Sequence, residues 1–539
     1  MFINDHVAIL PQKCVRKIAE FLNEYRPTAW QTQEVIMFNL IEETPAVAFN
    51  IARYCIAWTA AFDNYRHEFD SMYLTGARTA LNAMRDSPPS PKDLPLLIRH
   101  NLELAMQIAV SSSGKMMEFH TEQLLDGVEA LINTLIGRDG EKLTAFTARE
   151  ADVMEDVAFD FPKAIENMKY EFGFQFESDG YKLVKETPCF KMYQVLPNKP
   201  GVVVNEKGKP TLLVPPYMLG VHILSFLPGE GRSYAHSFAN QGIPTYVRVV
   251  KDIDITPAVQ TMSCEDDCEQ TRELCTVIKE KHGRQVTLNG ICQGGYISLI
   301  NVLSGKLQGV VDALITGVTP VDGTQSKSLG NFMGGMPSSM GMDYAYETLN
   351  NGNKVVNGDV MSLGMKLLAI SKEAPVVAMY NAKALHKDTG GNPGKTAAAI
   401  NRWLREERVH LPAAIAEMSG KTFKMPIAPD GTLPVELFGK PLNLHDLKKL
   451  GVRWYLAYSK DDALVDKDCA LAAAPLLKND NVLQVTEFPG GHVGILTSFA
   501  SEKSKCPLHG TFNGMVGPVR FQLDLDKEPV NKELAKPAA

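Results

Sequence analysis

No block of lysine or arginine, no run of about 18 uninterrupted apolar residues and no cysteine framework occurs in this 539-residue sequence. Each absence removes a class of function. Basic and acidic residues, 55 against 62, are dispersed and sum to −7, so there is no electrostatic footprint for nucleic acid or an anionic membrane. The most apolar stretch, Ala46 to Phe62, is interrupted by Asn50 and Arg53 and reads as a buried helix, not a transmembrane span. Met1 to Pro11 lacks a cationic segment followed by an apolar one, which argues against a secretory signal. The nine cysteines are odd in number and scattered in a chain too large to need staples, so a reducing cytoplasm is expected. Cys264, Cys268 and Cys275 recur on one helix face, but no partner set completes a metal site; a core helix and no metal are expected.

What is present is an ordinary globular composition, 45% hydrophobic and 22% charged, with length enough for several domains of roughly 150 residues. Residues 12–175 read as helices almost throughout. Val15, Ile18, Phe21 and Leu22 repeat at helical spacing, as do Leu102, Leu104, Met106, Ile108 and Ala109. Breaks fall at Arg26-Pro27, at Asp86 to Pro91 and near Gly137 to Gly140. This region is either an association surface or a bundle packed on an enzyme core. Between Glu171 and Lys209 short β-prone segments replace the helical period, which marks a domain boundary.

From Thr211 onward strands alternate with helices: Thr211 to Pro215, Thr245 to Val250, Val286 to Asn289, Val310 to Thr316, Arg453 to Tyr458 and Leu483 to Phe488. Such βαβ alternation builds a mostly parallel sheet flanked by helices. Ser263 caps the helix before the third of these strands, Glu265, Asp266 and Asp267 fill its first turn, and Gly283 stops it. Behind that strand stands Gly290-Ile291-Cys292-Gln293-Gly294-Gly295, followed by the periodic stretch Tyr296 to Leu303. Strand, Gly-flanked nucleophile and helix in that order make a nucleophile elbow carrying cysteine. The helix N-terminus aims N–H groups and a positive dipole end at the sulfur. Two further strands end at motifs with matching chemistry, Ser459-Lys460-Asp461-Asp462 and Pro489-Gly490-Gly491-His492. Cysteine, then aspartate (Asp462 preferred over Asp461), then His492 is the chain order of an α/β-hydrolase triad. Between Gly317 and Lys449 lies an insertion of about 130 residues whose Asn331 to Tyr380 part is rich in Met; it is either an apolar lid or ordinary core. From Asp524 the chain reads as a frayed tail.

The elbow hexapeptide resembles the lipase-like box of the polyhydroxyalkanoate synthase family, cysteine-based members of the α/β-hydrolase fold. Leu212-Leu213-Val214-Pro215-Pro216, Ile223-Leu224, Gln241-Gly242 and Thr319-Pro320-Val321-Asp322 are also similar to that family, within a resemblance covering about Thr211 to Ile495. Ala463, Leu219, Leu404 and Glu406 depart from its pattern. The resemblance implies an α/β-hydrolase fold with an inserted cap and an N-terminal all-helical domain. The implied boundaries are 1–180 for the helical domain, 181–328 and 450–523 for the core, 329–449 for the cap and 524–539 for the tail. It implies an acyltransferase polymerising (R)-3-hydroxyacyl-CoA through an acyl group on Cys292, with His492 as base and Asp462 as its partner. The N–H of Gln293 and that of Tyr217 or Met218 would hold the oxyanion. No cofactor is expected beyond the CoA thioester that is the substrate. The expected partners are hydroxyacyl-CoA, the growing polyester and a second copy or a helical subunit. The expected place is the cytoplasm, including the surface of polymer granules. A thioesterase of the same fold and a non-catalytic, granule-associated scaffold are the alternatives.

Overall fold

The computed structural model describes residues 32–86, 94–327, 345–362, 373–388, 394–488, 490–497, 511–512 and 515–516. The chain folds as two compact units. One takes in Met1–Ser71, Asn101–Glu166 and Ala369–Ala398, the other Met72–His100, Asn167–Leu368 and Ala399–Ala539. Residues 369–398, which belong by sequence to the insertion, therefore fall in the same unit as N-terminal helices.

The first unit is built on parts of three helices, α1 (Thr32–Asp86), α2 (Leu94–Ile136) and α3 (Leu143–Glu155), with the helix Pro375–Asp388. Its small core joins Ala57 and Ala61 of α1 to Met154, Val157, Ala158, Met379 and Tyr380. The Ala46 to Phe62 stretch is helical, but it is not buried. Phe49 is 65% and Ile56 68% exposed, because the helix packs along one face only, Ala57 and Ala61 with Tyr54, Trp58 and Phe62 beside them. The two interruptions in that stretch have partners instead: Asn50 donates to the Thr144 carbonyl, and Arg53 pairs with Asp152 and Glu155. Two of the expected helix breaks fall where proline and glycine occur, while Arg26-Pro27, like the stretch Val15 to Leu22 and the tail from Asp524, lies outside the described residues, and Pro45 is accommodated within α1. α1 ends at Asp86, and α2 ends before Gly137, whose φ of +67° suits a residue without a Cβ. Among the described residues no helix is long and apolar enough to cross a membrane.

The second unit holds an eight-stranded sheet: β1 (Tyr181–Glu186), β2 (Phe190–Val195), β3 (Thr211–Val214), β4 (Thr245–Val250), β5 (Val286–Ile291), β6 (Val311–Gly317), β7 (Arg453–Ser459) and β8 (Leu483–Phe488). The spatial order is β1-β2-β4-β3-β5-β6-β7-β8. β1 and β2 form an antiparallel hairpin on the edge, and every pairing from β4 to β8 is parallel. That order, with helices in the crossovers, is the α/β-hydrolase fold. The helices before and after β5 in the chain are α4 (Cys264–His282) and α5 (Gln293–Leu303). Ser263 and Asp266 close a capping box at the start of α4, and Gly283 ends it at φ +67°. Cys268 and Cys275 on its inner face are fully buried. From Gly294 onward every residue of α5 is buried, so the helix behind the elbow runs through the centre of the fold.

Candidate active site

Parallel pairing puts the ends of β3, β5, β6, β7 and β8 on one edge. Gly290 pairs with Val214, Ile291 and Ala457 both pair with Gly317, and Ser459 pairs with Phe488. Cys292 follows β5 directly, Asp462 lies three residues beyond β7, and His492 four beyond β8. Three short overhangs thus converge at the edge where open parallel sheets bind ligands.

The elbow is strained at the cysteine itself. Cys292 has φ +52° and ψ −122°, a conformation that costs a side-chain-bearing residue of order 1–3 kcal/mol. Its N–H is held by the Gly317 carbonyl at 2.8 Å. The flanking glycines contribute closeness, not left-handed backbone. A Cβ on Gly290 would collide with Gly294 and Gly295, one on Gly294 with the carbonyls of Val214 and Pro215, and one on Gly295 with the Thr319 hydroxyl.

His492 Nδ1 lies 2.8 Å from Asp462 Oδ2. Oδ1 of Asp462 accepts the N–H groups of Leu464 at 2.9 Å and Val465 at 2.8 Å, so both oxygens are used and the side chain is only 1% exposed. Asp461 is exposed, its N–H bound to the Gly490 carbonyl at 3.0 Å. Burial pulls the His492 imidazole down. The charge of Cys292, the hydrogen bond and charge of Asp462, and a hydrogen bond with the Cys292 side chain outweigh burial and lift the imidazole to about 10. The positive form of the ring is favoured by negative charge at Cys292 and at Asp462. Among the described residues no three His, Cys, Asp or Glu side chains gather to hold a metal.

Two backbone donors stand beside the elbow. The Gln293 N–H is the first of α5 and has no intrahelical acceptor. The Tyr217 N–H, in the loop after β3, points at Gln293 Oε1 from 3.2 Å. The Met218 carbonyl accepts from the Val409 N–H at 3.3 Å.

That loop is fixed by residues that carry no local sequence signal. The Tyr217 hydroxyl donates to Asp267, itself paired with Arg248 at 2.9 Å and receiving the Asn301 amide at 2.6 Å. Burial, then the Asp267 charge, pushes the phenol well above its ordinary value, so it remains a donor. Trp403 Nε1 donates to the Leu219 carbonyl at 3.1 Å. Gly220 has φ +67°, and the Glu407 carboxyl occupies the place a Cβ would need. Burial raises that carboxyl to about 8, against the opposing His222 backbone N–H and Arg408. In sequence Asp267 shows only as a first-turn charge on α4. Its neighbours Cys268 and Thr271 lie on the buried face of the helix, and that position is the available clue.

No protein-family model matches the chain. A poly(3-hydroxyalkanoate) polymerase subunit PhaC of Thiocystis violacea is 28% identical over 233 residues, 42% of this chain and 59% of the relative. The PhaC subunit of Allochromatium vinosum is 28% identical over 241 residues, 43% of this chain and 61% of the relative. This chain is a distant relative of the PhaC polymerase subunits. The matches span about three-fifths of the length of each PhaC subunit. Among solved structures, a putative lipase from Acinetobacter baumannii is 13% identical, with a TM-score of 0.30 over 63% of this chain and 91% of the lipase. The proline iminopeptidase of Mycobacterium smegmatis is 11% identical, with a TM-score of 0.30 over 59% and 92%. At those scores the likeness adds nothing to the fold already read from the strand order.

Proposed function

We propose that the protein is a cysteine acyltransferase that takes hydroxyacyl groups from CoA thioesters and joins them into a polyester. The observation that carries this reading is the His492–Asp462 pair at 2.8 Å on the same sheet edge as Cys292, which stands at an elbow whose next residue offers a free backbone donor. Cys292, its proton taken by His492 either beforehand or in the step, attacks the thioester carbonyl. The Gln293 and Tyr217 N–H groups hold the oxyanion, and the carbonyl reforms as CoA leaves as its thiol with the proton from His492. The acyl group now sits in a thioester of about the same energy as the one it left. His492, neutral after that donation, takes the proton of an incoming hydroxyl, whose oxygen attacks the Cys292 thioester. An ester forms, and the sulfur is released as thiolate beside a re-formed imidazolium. Asp462 keeps Nδ1 protonated, so that Nε2 faces the sulfur.

The segment 329–449 serves as the cap that keeps water from the acyl-enzyme. About half of its Met-rich part lies outside the described residues. The N-terminal helices are the surface for a second copy, a helical subunit or the polymer, and the cytoplasmic granule surface is the place of action. A thioesterase is the second reading, and it differs only in the acceptor. Purified protein supplied with 3-hydroxybutyryl-CoA should release thiol while turbidity from ester oligomers rises. Thiol released with free hydroxy acid as the sole product would reject polymerisation in favour of hydrolysis.

A further inference from the structure

The Gln293 side chain lies where the proposed chemistry needs an empty space. Its Oε1 accepts the Tyr217 N–H at 3.2 Å, and its Nε2 donates to Ser419 Oγ at 2.8 Å. Ser419 stands on the helix α6 (Ala413–Lys424) and in turn donates to the Ile415 carbonyl at 3.0 Å. Gln293 thus spans from the loop after β3 to a helix of the insertion, with the cysteine next to it in sequence.

Resting on the reading of Cys292 as an acyl carrier, we infer that the Gln293 amide is a removable stopper in the oxyanion site, and that Ser419 holds it there. The Tyr217 N–H is a single donor. An amide oxygen bound at 3.2 Å and a developing oxyanion cannot both occupy it, so one must leave. The loop is not the part that yields. Tyr217 is anchored through its ring to Asp267, Met218 through its carbonyl to Val409, and Leu219 through its carbonyl to Trp403. Gly220 has the Glu407 carboxyl against it. Gln293, by contrast, is an unbranched side chain whose amide can rotate off Tyr217 while its Nε2 stays on the Ser419 hydroxyl. A displacement of α6, which carries that hydroxyl, would draw the amide out. Substrate entering beneath the insertion and opening of the oxyanion site are coupled by this one side chain. The resting enzyme is held back, and its donor is shielded from water until an acyl-CoA arrives.

The test compares wild type with Gln293→Ala, Gln293→Met and Ser419→Ala in full-length protein. Rapid-quench mass spectrometry follows acylation of Cys292 by 3-hydroxybutyryl-CoA. Alkylation by iodoacetamide, a displacement that forms no oxyanion, corrects for any change in the sulfur itself. The stopper predicts that the ratio of acylation to alkylation rises by about 2- to 10-fold in Gln293→Ala, the value of one neutral hydrogen bond. Gln293→Met, which keeps the length of the side chain without the acceptor, should show the same rise, and Ser419→Ala a smaller one. Ratios unchanged or lowered in folded Gln293→Ala and Gln293→Met, with wild type acylated, overturn the stopper and leave the function standing. A wild-type protein that is alkylated at Cys292 yet acylated by no hydroxyacyl-CoA overturns both.

Discussion

Replacing Asp462 by asparagine changes one atom at a position with little freedom to move. The carboxylate accepts the Leu464 and Val465 N–H groups through Oδ1 and faces His492 Nδ1 at 2.8 Å through Oδ2. An amide keeps its oxygen on the two loop N–H groups, because the alternative rotamer sets a donor against two donors. Its NH2 then confronts Nδ1, which can remain in contact only by giving up its proton. Loss of a charge-assisted hydrogen bond costs about 1.5–3 kcal/mol, or roughly 10- to 150-fold in rate. The reversed tautomer turns a protonated Nε2 permanently toward the sulfur and removes the base for the second half-reaction. In serine triads the analogous change reaches about 10⁴ in kcat. Thiol release from 3-hydroxybutyryl-CoA should therefore fall by about 10²–10⁴, since a cysteine depends less on its base than a serine does. Asp461→Asn, at the exposed neighbour, should leave the rate within about twofold. A folded Asp462→Asn protein with nearly unchanged thiol release would refute the reasoning and reduce Asp462 to a loop brace.

The same geometry makes three further claims. Cys292→Ala removes an anion and a hydrogen-bond partner from His492, so the positive imidazolium is less favoured and its pKa must fall from about 10; histidine-resolved NMR titration that still gives a value near 10 would contradict this. Gly294→Ala drives a methyl into the carbonyls of Val214 and Pro215 and should lower stability by about 1–3 kcal/mol or more in thermal denaturation, whereas Gly229→Ala, with open space around it, should be nearly neutral. Asp267→Asn leaves Arg248, 1% exposed, without its counter-charge and should cost about 3–5 kcal/mol in urea unfolding; a loss below about 1 kcal/mol would show that the pair does not anchor the loop.

Much of the sheet is legible in the sequence because a parallel strand buried on both faces is written as an uninterrupted β-branched or apolar run. Thr245–Val250 has the same ends in sequence and structure, four other expected strands differ by one or two residues, and Leu483–Phe488, an edge strand with mixed burial, is matched through its alternating apolar positions. The hairpin of β1 and β2 is visible only as β-prone sequence, since an edge strand such as Tyr181–Glu186 mixes half-buried and exposed positions. The expectation of a buried helix at Ala46–Phe62 fails because apolar composition does not say which face finds a partner. Cys292, Asp462 and His492 stand out by strand ends and chain order; the fold pairs Asp462 with His492 at 2.8 Å and puts Cys292 on the same sheet edge. Contacts made across the fold lie beyond reach: the Gln293 amide on Tyr217, the Tyr217 hydroxyl on Asp267, and Trp403 on Leu219, residues separated by 50 to 184 positions. No local pattern records such a pair.

The central claim is that Cys292 carries the acyl group and passes it to a hydroxyl. The most direct measurement is mass spectrometry of the Cys292 peptide after brief reaction with 3-hydroxybutyryl-CoA and acid quench. The account predicts a thioester on Cys292 bearing one hydroxybutyryl unit at the earliest times and several ester-linked units later. An unmodified Cys292 peptide while CoA is being released would contradict it.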